Sequence, residues 1–227
     1  MSDPNKISDG EHQEGVIQFR LNHQEQAPFW NNDVLVAINR PRTRLKDAGL
    51  LGQDPARYAG LGFGNLSMRY GDGRHTFLVS GTQTGTLESL SRDDLALVTA
   101  AWPDKNALQS LGRIKPSSEA MTHAVCYQLS DSINAVVHVH APDIWLRHTE
   151  LGLASTGRHV PYGTPEMANA IRTLAQNDMS KGLPWLCRMA GHQDGILCAG
   201  KDLDACTKLI LQLHEKVAGV SEQGIFR

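Results

Sequence analysis

Two hydrophobic periodicities alternate along the chain. From Asn31 to Ala48, Val34, Leu35, Ile38 and Leu45 recur at helical spacing behind Asn31 or Asn32 as cap, which predicts a helix, and Pro41 predicts a kink or split within it. The following stretch, GLGFGNLSMRYGDGRHTFLVSG, is punctuated by glycine. Its two short runs, Leu66 to Tyr70 and Thr76 to Ser80, are joined through Gly-Asp-Gly and predict a β-hairpin. Ser91-Arg-Asp-Asp has the character of a cap, and the apolar run from Leu95 to Ala101 suits either strand or helix. Pro116-Ser-Ser-Glu, followed by apolar residues at 120, 121, 124, 125 and 129, predicts a helix that ends near Leu129, with Ser117 or Ser118 as its cap. Ile133 to His140 (INAVVHVH) is a β-branched run suited to a strand buried on both faces. A helix from Pro165 to about Gln176 and a strand from Gly195 to Ala199 follow. The last helix, 202–219, carries Leu203, Cys206, Ile210, Leu213 and Val217 as one stripe. Strands interleaved with helices predict an α/β or α+β layered domain.

Residues 1–28 are rich in Asn, Gln, Glu, Asp and His and poor in periodic apolar positions, so they are expected to form a loose arm before a single domain over 29–227. Hydrophobic residues are 41% of the 227, and no apolar run reaches the length of a membrane span. The 22 basic and 24 acidic residues nearly cancel, which removes the basic surplus that drives binding to nucleic acid or anionic membrane and leaves a small molecule as the expected partner. The N-terminus lacks the basic-then-apolar character of a secretory signal, so the cytoplasm is the default location. Cys126, Cys187, Cys198 and Cys206 form no CxxC pair and are expected to be small buried hydrophobes.

Candidate chemistry concentrates in three segments. In His138-Val-His140, strand alternation aims both imidazoles at one face, where two ring nitrogens can share a cation, although two hydrogen-bonded core histidines would give the same pattern. Glu119 lies in the first turn of the helix just before that strand, where position alone favours a capping box over a ligand. In Gly191-His-Gln-Asp-Gly195, His192 and Asp194 are two apart and would share a face if extended, whereas a polar turn is the plain alternative. Gly64-Asn-Leu-Ser67, Ser80-Gly-Thr-Gln-Thr-Gly85 and Ser117-Ser118 pair glycine or a helix start with hydroxyl and amide groups, as an anion site would, and as tight turns also do.

The order GNLS, a Thr-Gly turn, PSSE, VVHVHA, PYGTPE and a histidine near a glycine-led strand resembles the class II aldolase/adducin family, from about residue 31 to 219. The resemblance implies a three-layer α/β/α fold with a largely antiparallel or mixed central sheet. It also implies one divalent metal, zinc by resemblance and manganese, iron or cobalt by ligand chemistry, held by Glu119, His138 and His140. The fourth ligand of the family directly precedes the glycine. Here Asp194 stands there and His192 lies two residues upstream, so His192 is expected as ligand and Asp194 as a supporting group or base. Glu119 doubles as acid or base, and Asn65, Thr84, Gly85, Ser117 and Ser118 fall on phosphate contacts, the Thr-Gly turn aligning with a one-residue gap. The stretch between HxH and PYGTPE is shortened, so the tyrosine some aldolases place there has no counterpart, and Tyr162 lies in the later turn. The implied activity is a metal-dependent lyase or isomerase acting on a small sugar-phosphate-like or hydroxy-acid substrate through an enediolate, in a homotetramer. The alternative is a non-catalytic binding module like the adducin head.

Overall fold

The computed structural model describes residues 16–73, 75–179 and 182–223, with side chains as far as Gly219. Its strands are β1 (Arg20–Glu25), β2 (Gly52–Gln53), β3 (Gly62–Phe63), β4 (Asn65–Arg69), β5 (Phe77–Ser80), β6 (Leu95–Trp102), β7 (Ala107–Gly112), β8 (Ala135–His140), β9 (Ala154–Ser155), β10 (Trp185–Arg188) and β11 (Gly195–Gly200). Its helices are α1 (Asp33–Asp47), α2 (Ala120–Leu129), α3 (Pro142–Leu146), α4 (Pro165–Asp178) and α5 (Leu203–Gln223). Nine strands form one sheet in the order β1-β7-β6-β5-β4-β8-β11-β10-β9, and β2 and β3 form a separate hairpin. The β1–β7 and β9–β10 pairs are parallel and the remaining pairs antiparallel, so the sheet is mixed.

The alternation of β8 explains the layering. Val136 points to the face covered by α2 and α4, where it packs with Met121, Ala124, Val125, Met167 and Ile171. Ala135, Val137 and Val139 point to the opposite face, against Val34, Ile38 and Leu45 of α1, Ile144 of α3, and Leu203 and Ile210 of α5. Both faces are dry, as the unbroken apolar run requires. Helices on both sides of a mixed sheet give the three-layer α/β/α arrangement expected.

Several expectations change. The arm expected to be loose through residue 28 contains β1, whose six residues pair in parallel with β7; residues 1–15 lie outside the described residues. Helix α1 continues through Pro41 without splitting. The carbonyl deprived of its partner belongs to exposed Ala37, where water can replace the lost hydrogen bond. The run from Leu95 is a strand, entered through a capping box between Ser91 and Asp94. Strands β7 and β10 and helix α3 are additions to the predicted elements. All four cysteines are buried and free. Among the described residues no helix is long and apolar enough to cross a membrane.

Between α2 and β4 the core holds a polar chain. Ser67 Oγ lies 2.7 Å from His123 Nδ1 and 2.8 Å from the Tyr127 hydroxyl, and all three residues are fully buried. Arg69 closes the end of α2, its Nη2 donating to the carbonyls of Tyr127 and Ser130 at 2.9 and 3.0 Å, as unsatisfied C-terminal carbonyls require. Burial pulls the His123 imidazole down from 6.5 to about 3, because a buried charge is poorly solvated. The unfolded chain therefore takes up this proton near pH 6.5 while the native state resists it. Stability contributed by neutral His123 is complete above that pH and falls by about 1.4 kcal/mol per pH unit toward acid. Denaturant titrations at pH 7 and pH 5 should show a smaller acid loss in His123→Gln than in the parent protein; equal losses would contradict this account.

Candidate metal centre and anion cavity

Strand β8 delivers His138 and His140 to the same face, the one that also bears α2 and α4. His138 sits opposite Asn65 of β4 on one side and Leu197 of β11 on the other, and His140 sits opposite Gly195. That glycine leaves room for a third imidazole: a Cβ at Gly195 would stand 3.1 Å from Cγ of His192. The turn between β10 and β11 folds back through hydrogen bonds from His192 N to Met189 O and from Gly195 N to His192 O, at 3.1 and 3.0 Å. This brings His192 over the strand. Its ring stacks on His138 with centroids 4.8 Å apart and meets His140 edge-on at 4.8 Å. Candidate ligand atoms of the three histidines all lie within 4.8 Å of one another.

Glu119 enters from the start of α2. It occupies the N-cap position without using its side chain as a cap, while its backbone N–H donates to Ser117 Oγ at 3.2 Å. The carboxylate turns inward instead. Oε2 accepts from the Thr122 hydroxyl at 3.1 Å, and Oε1 lies 3.5 Å from His192 Nδ1. The capping-box alternative therefore gives way to a carboxylate beside the imidazoles. All four residues are at most 4% exposed.

Burial, and secondarily the neighbouring His192, push the His138 and His140 imidazoles well below their ordinary value, so both present neutral rings with available lone pairs. The His138 tautomer follows from its partner. Nδ1 lies 3.2 Å from the Ile196 carbonyl, which can only accept, so Nδ1 carries the proton and Nε2 the lone pair. That Nε2 is buried with no hydrogen-bond partner among the described residues. A buried acceptor of this kind, with two further imidazoles and a carboxylate beside it, fits a divalent cation such as zinc, manganese, iron or cobalt.

Asp194 lies outside this cluster. It adopts a left-handed φ of 61°, which ends the strand alternation that would have aligned it with His192. Its carboxylate accepts the Tyr58 hydroxyl at 2.7 Å. Tyr58, unmarked by any motif, packs its ring edge-on against His140 with centroids 4.4 Å apart, and Arg57 Nη2 donates to its hydroxyl at 2.8 Å. Burial, then the bond to Asp194, raises the Tyr58 phenol, which stays protonated at neutral pH. Tyr162 stacks on His192 at 4.6 Å. Only the 136-residue separation of Tyr58 from Asp194 hides their association from the sequence.

Beside the cluster lies a cavity lined by Gly62, Gly64, Asn65, Gly81, Thr82, Gln83, Thr84, Gly85, Ser117 and Ser118. All five residues expected at a phosphate site are among them. The end of β5 and the segment before α2 close it, through a bridge between Gly81 and Pro116 and a hydrogen bond from Thr82 N to Lys115 O at 3.0 Å. Gln83 adopts a left-handed φ of 56°, which turns the backbone sharply within this lining segment. The cavity and the cluster are continuous through Ser117-Ser118-Glu119 and through Asn65, the cross-strand neighbour of His138.

A mixed three-layer fold with this arrangement corresponds to a known class. The family model described as Class II Aldolase and Adducin N-terminal domain matches residues 55–218, and the chain belongs to this family. Over 79 residues it is 39% identical to methylthioribulose-1-phosphate dehydratase of Methylococcus capsulatus, a match that spans 35% of this chain and about a third, 34%, of that relative. Among solved structures it is similar in fold to YgbL from Klebsiella pneumoniae, with a TM-score of 0.62 at 19% identity over 87% of this chain and 93% of the other. It is likewise similar to L-fuculose-1-phosphate aldolase from Thermus thermophilus, with a TM-score of 0.61 at 17% identity over 86% and 96%.

The turn that carries His192 is tightly packed. A Cβ at Gly191 would overlap the carbonyl of Val160. Gly191→Ala should therefore destabilise the fold by about 1–3 kcal/mol and shift His192. Denaturant unfolding and metal analysis of the purified variant would check this, and parental values in both would count against the assigned role of the turn.

Proposed function

We propose that this chain is a divalent-metal-dependent lyase acting on a small phosphorylated sugar-like substrate, by dehydration or aldol cleavage, with epimerisation as the less favoured variant. The observation that carries the reading is the continuity of the two sites: one short segment puts Ser117 and Ser118 on the anion cavity and Glu119 among the three histidines. A compound with a phosphate at one end and a carbonyl or hydroxyl a few bonds away would span both.

Within this reading, His138, His140, His192 and Glu119 hold the metal, and zinc is favoured by family resemblance. When bound, the ion supplies Lewis acidity, drawing electron density from a substrate oxygen and easing loss of a proton or a bond at the neighbouring carbon. Asn65, Thr84, Gly85, Ser117 and Ser118 bind the phosphate and fix the register of the reacting carbons. Glu119 carries the proton taken from or returned to the substrate, with Thr122 holding its second oxygen in place. Asp194 supports the site through the Tyr58 hydroxyl instead of acting as a ligand. The dehydratase name of the relative from Methylococcus capsulatus and the aldolase name of the fold neighbour from Thermus thermophilus both support carbon–oxygen or carbon–carbon lyase chemistry. Assembly as a homotetramer, by resemblance, and location in the cytoplasm, as the default, belong to the same proposal. A binding module without catalysis predicts loss of the metal-ligating residues, and the grouping of His138, His140 and His192 beside Glu119 supports the enzyme reading instead.

Metal content provides the first test: His138→Ala and His140→Ala should each lose the ion, and unchanged stoichiometry in both would sink the metal site. For activity, a panel of sugar phosphates should show metal-dependent turnover, with Glu119→Gln lowering kcat by about 10²- to 10⁴-fold. Flat turnover across that panel at saturating zinc or manganese would overturn the lyase reading.

A further inference from the structure

The anion cavity has a support that lies behind it and touches none of its contents. Arg42, on the buried side of α1, is 1% exposed. Its guanidinium donates through Nη2 to the carbonyls of Thr84 and Leu87 at 2.9 and 2.7 Å, and through Nη1 to that of Glu88 at 2.9 Å. Lys46, one turn later, adds a bond from Nζ to the Leu87 carbonyl at 2.7 Å. Two cations on one helix thus hold the carbonyls of the loop that follows the cavity-lining residues Thr82 to Gly85.

The planarity of the peptide group turns this grip into a directional effect. In a trans peptide the C=O and the following N–H point in opposite directions. Since Arg42 holds the Thr84 carbonyl toward the helix, the Gly85 N–H faces away from it, and Gly85 lines the cavity. That N–H has no acceptor among the described residues. The position admits no side chain, because a Cβ there would overlap the Gly52 carbonyl. Charge adds to geometry. No described carboxylate comes within 4.0 Å of the Arg42 guanidinium, although Glu88 and Asp94 lie farther out. A buried cation met only by carbonyl dipoles is incompletely compensated, and it stands one residue behind the cavity wall.

We propose that Arg42 is the positioning residue of the anion cavity: by clamping the Thr84, Leu87 and Glu88 carbonyls it fixes the loop, aims the Gly85 N–H at a phosphate and supplies charge beneath it. The proposal rests on the reading of that cavity as a phosphate site, and the test separates the two. Inorganic phosphate is titrated into metal-loaded parent protein, Ser118→Ala, Arg42→Met and Arg42→Lys, with metal content and melting temperature measured on each. The expected result is a phosphate Kd raised roughly tenfold in Arg42→Met and less in Arg42→Lys, with metal content unchanged, because lysine restores the charge but not the planar three-carbonyl grip.

A phosphate Kd in Arg42→Met equal to that of the parent, with Ser118→Ala weakened, would overturn the role of Arg42 and leave the cavity reading standing; a lowered melting temperature with no change in Kd has the same meaning. Absence of phosphate binding in the parent, or no effect in Ser118→Ala, would overturn both together. Should Arg42→Met fail to fold, Arg42→Lys decides the matter, and an unchanged Kd there is equally fatal.

Discussion

A carboxylate and three imidazoles, groups that water solvates well, stand together in the core of this protein with almost no exposure. Removing an ionised carboxylate from water is strongly unfavourable unless a positive charge accompanies it. Burial itself holds His138 and His140 neutral, so these two imidazoles do not supply that charge. The proposed divalent cation would balance the set, and the neighbouring elements converge to seat these groups around one point. Strand β8 has to be central and dry, α2 has to begin beside its end, and the turn before β11 has to fold back onto it.

The sheet order meets that need economically. Strand β8 lies between β4 and β11, so the groups converging on it arrive from both neighbours: Asn65 from one, and His192 with its turn from the other. The same neighbours connect chemistry to recognition. Strand β4 leads through the hairpin to the end of β5, where the anion cavity opens, and α1 lies on the far face of the sheet, holding the loop beyond it. The layers therefore differ in what they hold, the segment entering α2 placing Ser117, Ser118 and Glu119 on one face of the sheet and α1 gripping the Thr84 loop from the other.

Features set by local periodicity were legible in the sequence. Strand β8 and the hairpin β4–β5 declared themselves by alternation and glycine, and His138 and His140 shared a face because a strand admits no other outcome. The role of Glu119 was not legible locally, since a cap and a ligand occupy the same first turn; only the orientation of its carboxylate separates them. The choice between His192 and Asp194 assumed an extended chain, and the left-handed backbone at Asp194 removes that premise. Tyr58 and Arg42 act on segments far away in sequence, and no spacing rule connects them. Strand β1 escaped notice because it is an edge strand with mostly polar side chains, held by main-chain pairing with β7.

The turn at Gly191 to Gly195 departs from the family pattern in spacing but not in reach. The family pattern places a histidine directly before the glycine, and here two residues intervene. The imidazole nevertheless reaches the cluster, because Gln193 is exposed and Asp194 bends away toward Tyr58. The place of the His192 imidazole is thus set by the fold-back of a closely packed turn and not by its distance in sequence from Gly195. A motif written on fixed residue spacing overlooks His192, whereas the ring geometry around β8 picks it out.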